Sequence, residues 1–264
     1  MVDCLIDKEQ TMRPRLAISF SGGRSSAVML HLCLQKYKDT HDILITFANT
    51  GCEHEETLRF VDAVDKHFAG GKVVWIEAVI GPPGVGPRAK VVDYATASRN
   101  GEPFEAAIQK HGVFGPTHPN CTGRLKADPM VSFLREQGWE SGGYDFAIGI
   151  RADEVDRRSK NAKRDRLIYP LVDAGVTKRD VNRFMARFEW DLKLPGDHYG
   201  NCVWCWKKSL RKLATIAKHN PEAFDFPAAM EDTYGHIQKS GVQEKRRVFF
   251  REYRSARDLS LIHI

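Results

Sequence analysis

The chain has 264 residues, 42% of them hydrophobic and 28% charged, with a formal net charge of +6 and a pI near 9.0. No apolar run approaches the length of a membrane span, and residues 1–15 lack the basic-then-apolar layout of a secretory signal, so a membrane role and an exported, disulfide-built protein are not expected. A cytoplasmic location is expected, the six cysteines need another account than structural disulfides, and the modest basic excess permits an anionic partner without requiring one.

Residues 16–20 are short, apolar and bounded by polar residues, which predicts a buried strand. The turn Ser21-Gly22-Gly23-Arg24-Ser25-Ser26 follows, and residues 27–34 read as a helix with Ser25 or Ser26 near its N-cap. Residues 43–48 predict a second strand, 55–68 a helix with an acidic first turn, and 72–79 a third strand. Strand–helix–strand–helix–strand implies an α/β fold, a parallel twisted sheet with helices on both faces. The Gly-Pro-Pro-Gly-Val-Gly breaker at 81–86 opens an irregular insertion reaching to about residue 119, of the kind that forms a substrate loop. A helix over 124–137, interrupted near Pro129, precedes a fourth strand at 145–150. Residues 151–166 are too charged for a core, and 167–171 return to apolar character. A helix over 177–189 has Thr177 as its cap and Asp180 at the third helical position. Helices over 206–218 and, strongly basic, over 242–257 complete the pattern. The expected organisation is an α/β core at 1–175 and a smaller helical region at 176–264 carrying a C-x-x-C pair.

In a parallel sheet, ligands sit beyond the carboxyl ends of the strands. Four polar segments fall there: 21–26, 49–56, the stretch from Glu77, and 151–158. Gly22 and Gly23 allow close backbone approach, and the free N–H groups of a helix N-terminus favour an anion. Ser21, Ser25 and Ser26 add hydroxyls, and the forked donors of Arg24 suit phosphate oxygens. The pattern is neither the Walker loop nor the dinucleotide glycine fingerprint. Taken singly, each segment is also an ordinary turn, cap or solvated loop; their coincidence at strand ends makes a nucleotide site the better reading. Cys202 and Cys205 have the spacing with which one turn presents two thiolates. Cys33 lies on a helix face and reads as core, and Cys52 as a small turn residue beside the nucleotide site.

The stretch SFSGGRSS resembles the pyrophosphate-binding loop of the ATP pyrophosphatase (PP-loop) superfamily. FANTGCEHEETLRFV, CTGRLKADP and GIRADEVDRR are similar, in order, to segments of its phosphoadenosine phosphosulfate reductase-like branch, of the type often encoded by phages. These matches run from residue 16 to residue 171. The resemblance implies ATP and Mg²⁺ as cofactors, with Ser21, Gly22, Gly23, Arg24, Ser25, Ser26, Asn49, Thr50 and Gly51 around the nucleotide. Arg24, Asp153 and Arg151 are then the catalytic candidates, with Glu53 or Asp153 near Mg²⁺. Lys126, Arg151, Glu154 and Arg157 are the candidates for an anionic substrate. True sulfonucleotide reductases attack sulfur with a cysteine near the C-terminus, whereas the last cysteine here is Cys205.

With Cys121 in the CTGRLKADP segment, three cysteines in two segments suit a 4Fe-4S cluster with one open iron, as in cluster-dependent tRNA thiolation enzymes of the superfamily. Zinc is the rival, with His118 or His198 as fourth ligand. A dithiol pair, or buried cysteines without a cofactor, are further readings. The function so implied is an adenylating sulfurtransferase acting on a nucleic acid, tRNA before DNA. Its sulfur donor would be a cysteine desulfurase or free sulfide, and an oligomer is compatible. The basic runs 157–166 and 245–257 are expected to line the groove. The alternatives are a sulfonucleotide reductase or binding enzyme that borrows an external thiol, and a non-catalytic nucleotide-sensing module.

Overall fold

A computed structural model describes residues 13–237 and 246–261 of the chain. Six strands form one sheet: β1 (Arg15–Ser19), β2 (Asp42–Asn49), β3 (Val73–Val79), β4 (Arg88–Val92), β5 (Asp145–Ile148) and β6 (Leu167–Ile168). Their order is β4-β3-β2-β1-β5-β6, and every pair is parallel except β3 with β4. The central β1 pairs Ile18 with Ile45 of β2 on one side and with Ala147 of β5 on the other. Both faces of β1 are covered, which explains its unbroken apolar run.

On one face, α1 (Arg24–Tyr37) and α2 (Glu55–Val64) cover Leu16, Ile18, Ile45, Phe47 and Trp75. A further helix, α3 (Glu102–His111), lies in the insertion, and α4 (Asp128–Glu136) covers the opposite face through Met130, Phe133 and Leu134. The expected α/β fold with helices on both faces is therefore present. The short α5 (Pro170–Asp173) leads to α6 (Lys178–Met185), which packs on α1. Its start is the predicted one: Thr177 and Asp180 form a capping box, with Thr177 N donating to Asp180 Oδ2 at 3.0 Å. Three more helices follow, α7 (Leu210–His219), α8 (Asp225–Tyr234) and α9 (Ala256–Leu261). They share a second core with α3, built on Phe104, Phe114, Trp204, Leu213, Phe249 and Phe250.

Three expectations need correction. The insertion at 81–119 is not irregular, since it holds β4 and α3. Strand β4 is a short, mostly exposed edge strand whose charged residues hide its period. Lys110 of α3 then fastens the Gly-Pro breaker through the carbonyls of Gly81, Pro82 and Val85 at 2.7–2.8 Å. The basic helix expected over 242–257 does not form in the described part. Residues 246–255 run irregularly through a 3-10 turn, Arg251–Tyr253, in which Glu252 and Tyr253 have φ of 59° and 55°, outside the right-handed helical region; residues 242–245 lie outside the described residues. The packing also crosses the boundary drawn at 175/176, since Val181 and Met185 belong to the first core while Phe104 belongs to the second. Among the described residues, no helix is long and apolar enough to cross a membrane.

Candidate active site

The loop after β1 turns on Gly22, whose φ is +75°. A Cβ there would stand 2.8 Å from Thr57 Cγ2 of α2, so the position requires glycine sterically and conformationally. Ser26 closes the loop on itself: its hydroxyl accepts from Ser21 N at 3.1 Å and Gly23 N at 3.3 Å, and donates to Gly23 O at 2.9 Å. Ser26 thus shapes the loop, while Ser21, Gly23, Arg24 and Ser25 line a cavity of about 450 Å³ together with Gly149 and Arg151 from beyond β5. This cavity lies at the carboxyl ends of β1 and β5, where a parallel sheet binds its ligand.

Most cations of the cavity are already engaged. Arg24 Nε donates to Asp191 Oδ1 at 2.8 Å, and Nη2 donates to the Leu192 carbonyl at 2.7 Å. The loop arginine, expected to face phosphate, is here clasped to the strap that follows α6. Arg151 Nη1 reaches Ser25 Oγ at 3.2 Å, and its Nε and Nη2 hold both oxygens of Asp153. That hydrogen bond keeps the exposed Asp153 carboxyl below its ordinary range. Glu154 sits between Arg151, at 3.1 Å, and the exposed Arg157, at 2.6 Å. Arg24, Arg151, Glu154 and Arg157 therefore converge on one cavity, as the motifs suggested. Asp191 and Asp197, which restrain this wall through Arg24 and Lys178, carry no motif and could not be found from the sequence.

The Asn-Thr-Gly segment does not line that cavity; of its residues, Gly51 lines a second cavity with Cys52, Glu53, Val203 and Trp204. Asn49 is fully buried, and its amide donates to Glu77 Oε1 at 2.7 Å and Ser98 O at 2.8 Å while accepting from Gly51 N at 3.2 Å. The buried Glu77 also accepts from Ser98 N and Oγ, so this polar peg fixes the end of β3 to the insertion. Gly51 has φ +76° and packs against Gly101, where a Cβ would come within 2.9 Å of backbone. Thr50 N and Oγ1 hold Glu53 Oε2 at 2.9 and 2.8 Å, and Thr50 Oγ1 lies 3.4 Å from Cys202 Sγ.

Here the distant C-x-x-C loop arrives. Glu53 forms an antiparallel bridge with Cys202, and Val203 N donates to Cys52 O at 2.9 Å. Lys126, from the π-helical turn Gly123–Ala127 before α4, reaches Glu53 Oε1 at 3.2 Å. Burial pushes the Cys202 thiol up to about 12, and the Glu53 carboxylate adds to this against the opposing Lys126. Burial likewise raises Cys52 and lowers Lys208, whose ammonium donates to the carbonyls of Gly200 and Cys202. Burial also works against the charge on Lys126, but Glu53 and the neighbouring thiols outweigh it and hold the ammonium above its ordinary range. Lys126, expected to meet an anionic substrate, is thus the counter-ion of Glu53, and Glu53 is not free for Mg²⁺.

Cys121 and Cys205 lie half-buried at the margin of the second core, to which Cys202 belongs. Among the described residues, no group of three or more His, Cys, Asp or Glu side chains is arranged to hold a metal ion. His118 stacks on Phe114 at 5.3 Å, and the His198 ring lies tilted against Tyr199 at 4.6 Å. Cys202 is hydrogen-bonded to Thr50, and the residues as placed do not fit a cluster or a zinc ion. Cys33 is buried against the first core, as expected.

The sequence model of the phosphoadenosine phosphosulfate reductase domain matches residues 15–79. The nin region protein ORF290 of Escherichia phage lambda is 35% identical over 205 residues, covering 76% of this chain and 69% of that protein. Protein MJ0066 of Methanocaldococcus jannaschii is 27% identical over 217 residues, 82% of this chain but 35% of that longer protein. Among solved structures, a phosphoadenylyl-sulfate reductase from Candida auris aligns with TM-score 0.39 and 17% identity, over 66% of this chain and 72% of its own. The U34-tRNA thiolase NcsA from Methanococcus maripaludis, solved with its [4Fe-4S] cluster, aligns with TM-score 0.43 and 16% identity, over 89% of this chain and 77% of its own. The loop after β1, the domain match and the extended likeness to the phage protein together place the chain in the phosphoadenosine phosphosulfate reductase-like family of the PP-loop superfamily.

Proposed function

We propose that the chain is an ATP-dependent sulfurtransferase that acts on a nucleic acid, tRNA before DNA. The observation that carries this reading is that a polar cavity of about 450 Å³ and a buried thiol site stand at the ends of neighbouring strands, β1 and β2. A substrate carbonyl or phosphoryl oxygen attacks the α-phosphorus of ATP, and the bond to pyrophosphate breaks. The adenylated oxygen is then a good leaving group, and a sulfur nucleophile displaces it as AMP.

The chain's own residues divide this work. Backbone N–H groups at the start of α1, with Ser21 and Ser25, hold the departing pyrophosphate. Arg151 keeps Ser25 in place and offers a fixed cation beside it. A Mg²⁺ bound with ATP would neutralise phosphate charge, and Asp153 would be the candidate carboxylate near it once released from Arg151. Cys202 and Cys205 present thiols from the neighbouring strand end: a desulfurase persulfide would pass its outer sulfur to one thiolate and leave as a thiol, and the second thiol would release that sulfur to the acceptor by closing a disulfide that an external thiol reduces, whereas free sulfide would attack the adenylated centre directly.

The test is product analysis with α-labelled ATP and total tRNA or DNA. AMP with pyrophosphate, and a sulfur-bearing nucleoside that is lost in Ser21→Ala, are expected. ADP with orthophosphate would refute the adenylation step. The family-domain match favours one rival, a sulfonucleotide enzyme using an external thiol. Binding of adenosine phosphosulfates with both nucleic acids left unchanged would favour it.

A further inference from the structure

The two basic runs expected to meet nucleic acid spend their arginines internally. Arg157 is held by Glu154, Arg158 by the Val155 carbonyl, Arg164 by Asp165 and Arg166 by Asp145. At the other run, Arg246 and Arg257 go to Asp232, Arg254 to Glu252, Arg247 to the His111 carbonyl and Arg251 to the Lys207 carbonyl.

A third basic surface is differently arranged. Between residues 85–88, leading into β4, and one face of α4 runs a groove of about 480 Å³. Arg88, Arg124 and Arg135 stand along it over a floor of Pro87, Ala127 and Val131. Arg124 is paired with Asp128 at 3.0 Å, whereas Arg88 and Arg135 are exposed and have no ion pair or hydrogen bond among the described residues. The helical lining positions, 124, 127, 128, 131, 132 and 135, follow the spacing of one helix face, so the groove tracks the helix axis. Arg124 and Arg135 are separated by about 16 Å at 1.5 Å per residue. Arg124 and Lys126 share the turn Gly123–Ala127, two residues apart, with Arg124 on the groove and Lys126 on Glu53 of the thiol site.

We propose that this groove holds the phosphodiester backbone of the nucleic-acid acceptor, with Arg88 and Arg135 as the outer phosphate contacts. The floor has no aromatic side chain, so the groove carries backbone rather than stacked bases. This rests on the nucleic-acid form of the function proposed above, and it names the surface by which that acceptor is led to the thiols.

The experiment is fluorescence anisotropy of labelled single-stranded RNA, and DNA of the same sequence, with the full chain over a salt series. Arg88→Ala/Arg135→Ala should weaken binding at least tenfold and lower the slope of log K against log salt by about 1.4, at 0.7 per lost phosphate contact on a single strand. Its unfolding midpoint should stay that of the unmodified chain, since both side chains are exposed. Lys163→Ala/Arg164→Ala, in the paired run, should change neither affinity nor slope. An unchanged slope in the groove variant, or the loss appearing in the Lys163/Arg164 variant, overturns the proposal. So does displacement of neither oligonucleotide but binding of polyglutamate alone. If the chain makes AMP yet binds neither oligonucleotide, the groove fails while adenylation stands; if it binds through the groove and makes no AMP, the reverse holds.

Discussion

Replacing Lys126 by methionine isolates the electrostatics of the thiol site. Its ammonium is the cation facing Glu53, whose side chain is 2% exposed, while that of Lys126 is 26% exposed. Removing one partner of a fully buried pair costs about 3–5 kcal/mol, because an uncompensated charge remains. Here the loss is smaller. Thr50 N and Oγ1 continue to hold Glu53, and the partial exposure of Lys126 means that water already screens the pair. About 2 kcal/mol is therefore expected, which for a chain of this size is a fall in unfolding midpoint of about 4–8 °C. Glu53→Gln/Lys126→Met should recover most of that loss, since no buried charge is left unpaired. The assay is thermal unfolding of both single variants and the double variant, read as a double-mutant cycle. Lys126→Met should also slow alkylation of Cys202, because the cation opposing the effect of burial is gone. A Lys126→Met protein that melts with the unmodified chain, or a double variant no better than the sum of the singles, would refute this account.

Arg24 and Asp191 can be separated by their opposite effects on ATP binding. If Arg24 contacts phosphate, Arg24→Ala weakens ATP about tenfold to a hundredfold, the worth of one charge-assisted bond, while Asp191→Ala strengthens it by releasing the guanidinium; parallel losses measured by calorimetry would make the pair a structural clasp only. Burial raises Glu231 from 4.5 to about 7, so the folded chain holds this proton more tightly than the unfolded one. That contribution, about 3 kcal/mol, is full below pH 4.5 and is lost as pH rises through 7, and Glu231→Gln should flatten this part of the stability profile; an unchanged profile counts against it. Gly22→Ala should abolish ATP turnover, since its Cβ meets Thr57 at 2.8 Å, and wild-type turnover would show that the loop can shift. Anaerobic protein should carry no stoichiometric iron, acid-labile sulfide or zinc, and a brown, iron-loaded preparation would mean that Cys121 swings to join Cys202 and Cys205.

The sheet was legible because its strands are buried on both faces and read as plain apolar runs, and the glycine turn because few other sequences can make it. Strand β4 was not, since at an exposed edge Arg88 and Lys90 break the apolar pattern. The motifs marked where chemistry sits but not the direction in which each side chain points. Asn49 and Thr50 belong to a nucleotide motif, yet the first turns into a buried peg with Glu77 and the second toward Cys202. Lys126 resembled a substrate contact because nothing local reveals Glu53, 73 residues away, as its partner. Such pairings are tertiary facts, and no period or spacing encodes them.

The bridge that joins Glu53 to Cys202 spans most of the chain, since Thr50 and Cys202 are 152 positions apart. A ribosome delivers residues in order, and early segments fold first. The strand that ends in the Ser-Gly-Gly loop therefore exists long before either thiol of the C-x-x-C pair, and before Asp191 arrives to hold Arg24. An interrupted product ending near β6 would have the loop but neither its clasp nor any thiol of that pair. Completion of the two sites is in this way deferred to the late stages of synthesis, so a half-made molecule carries the loop without the thiols of this pair.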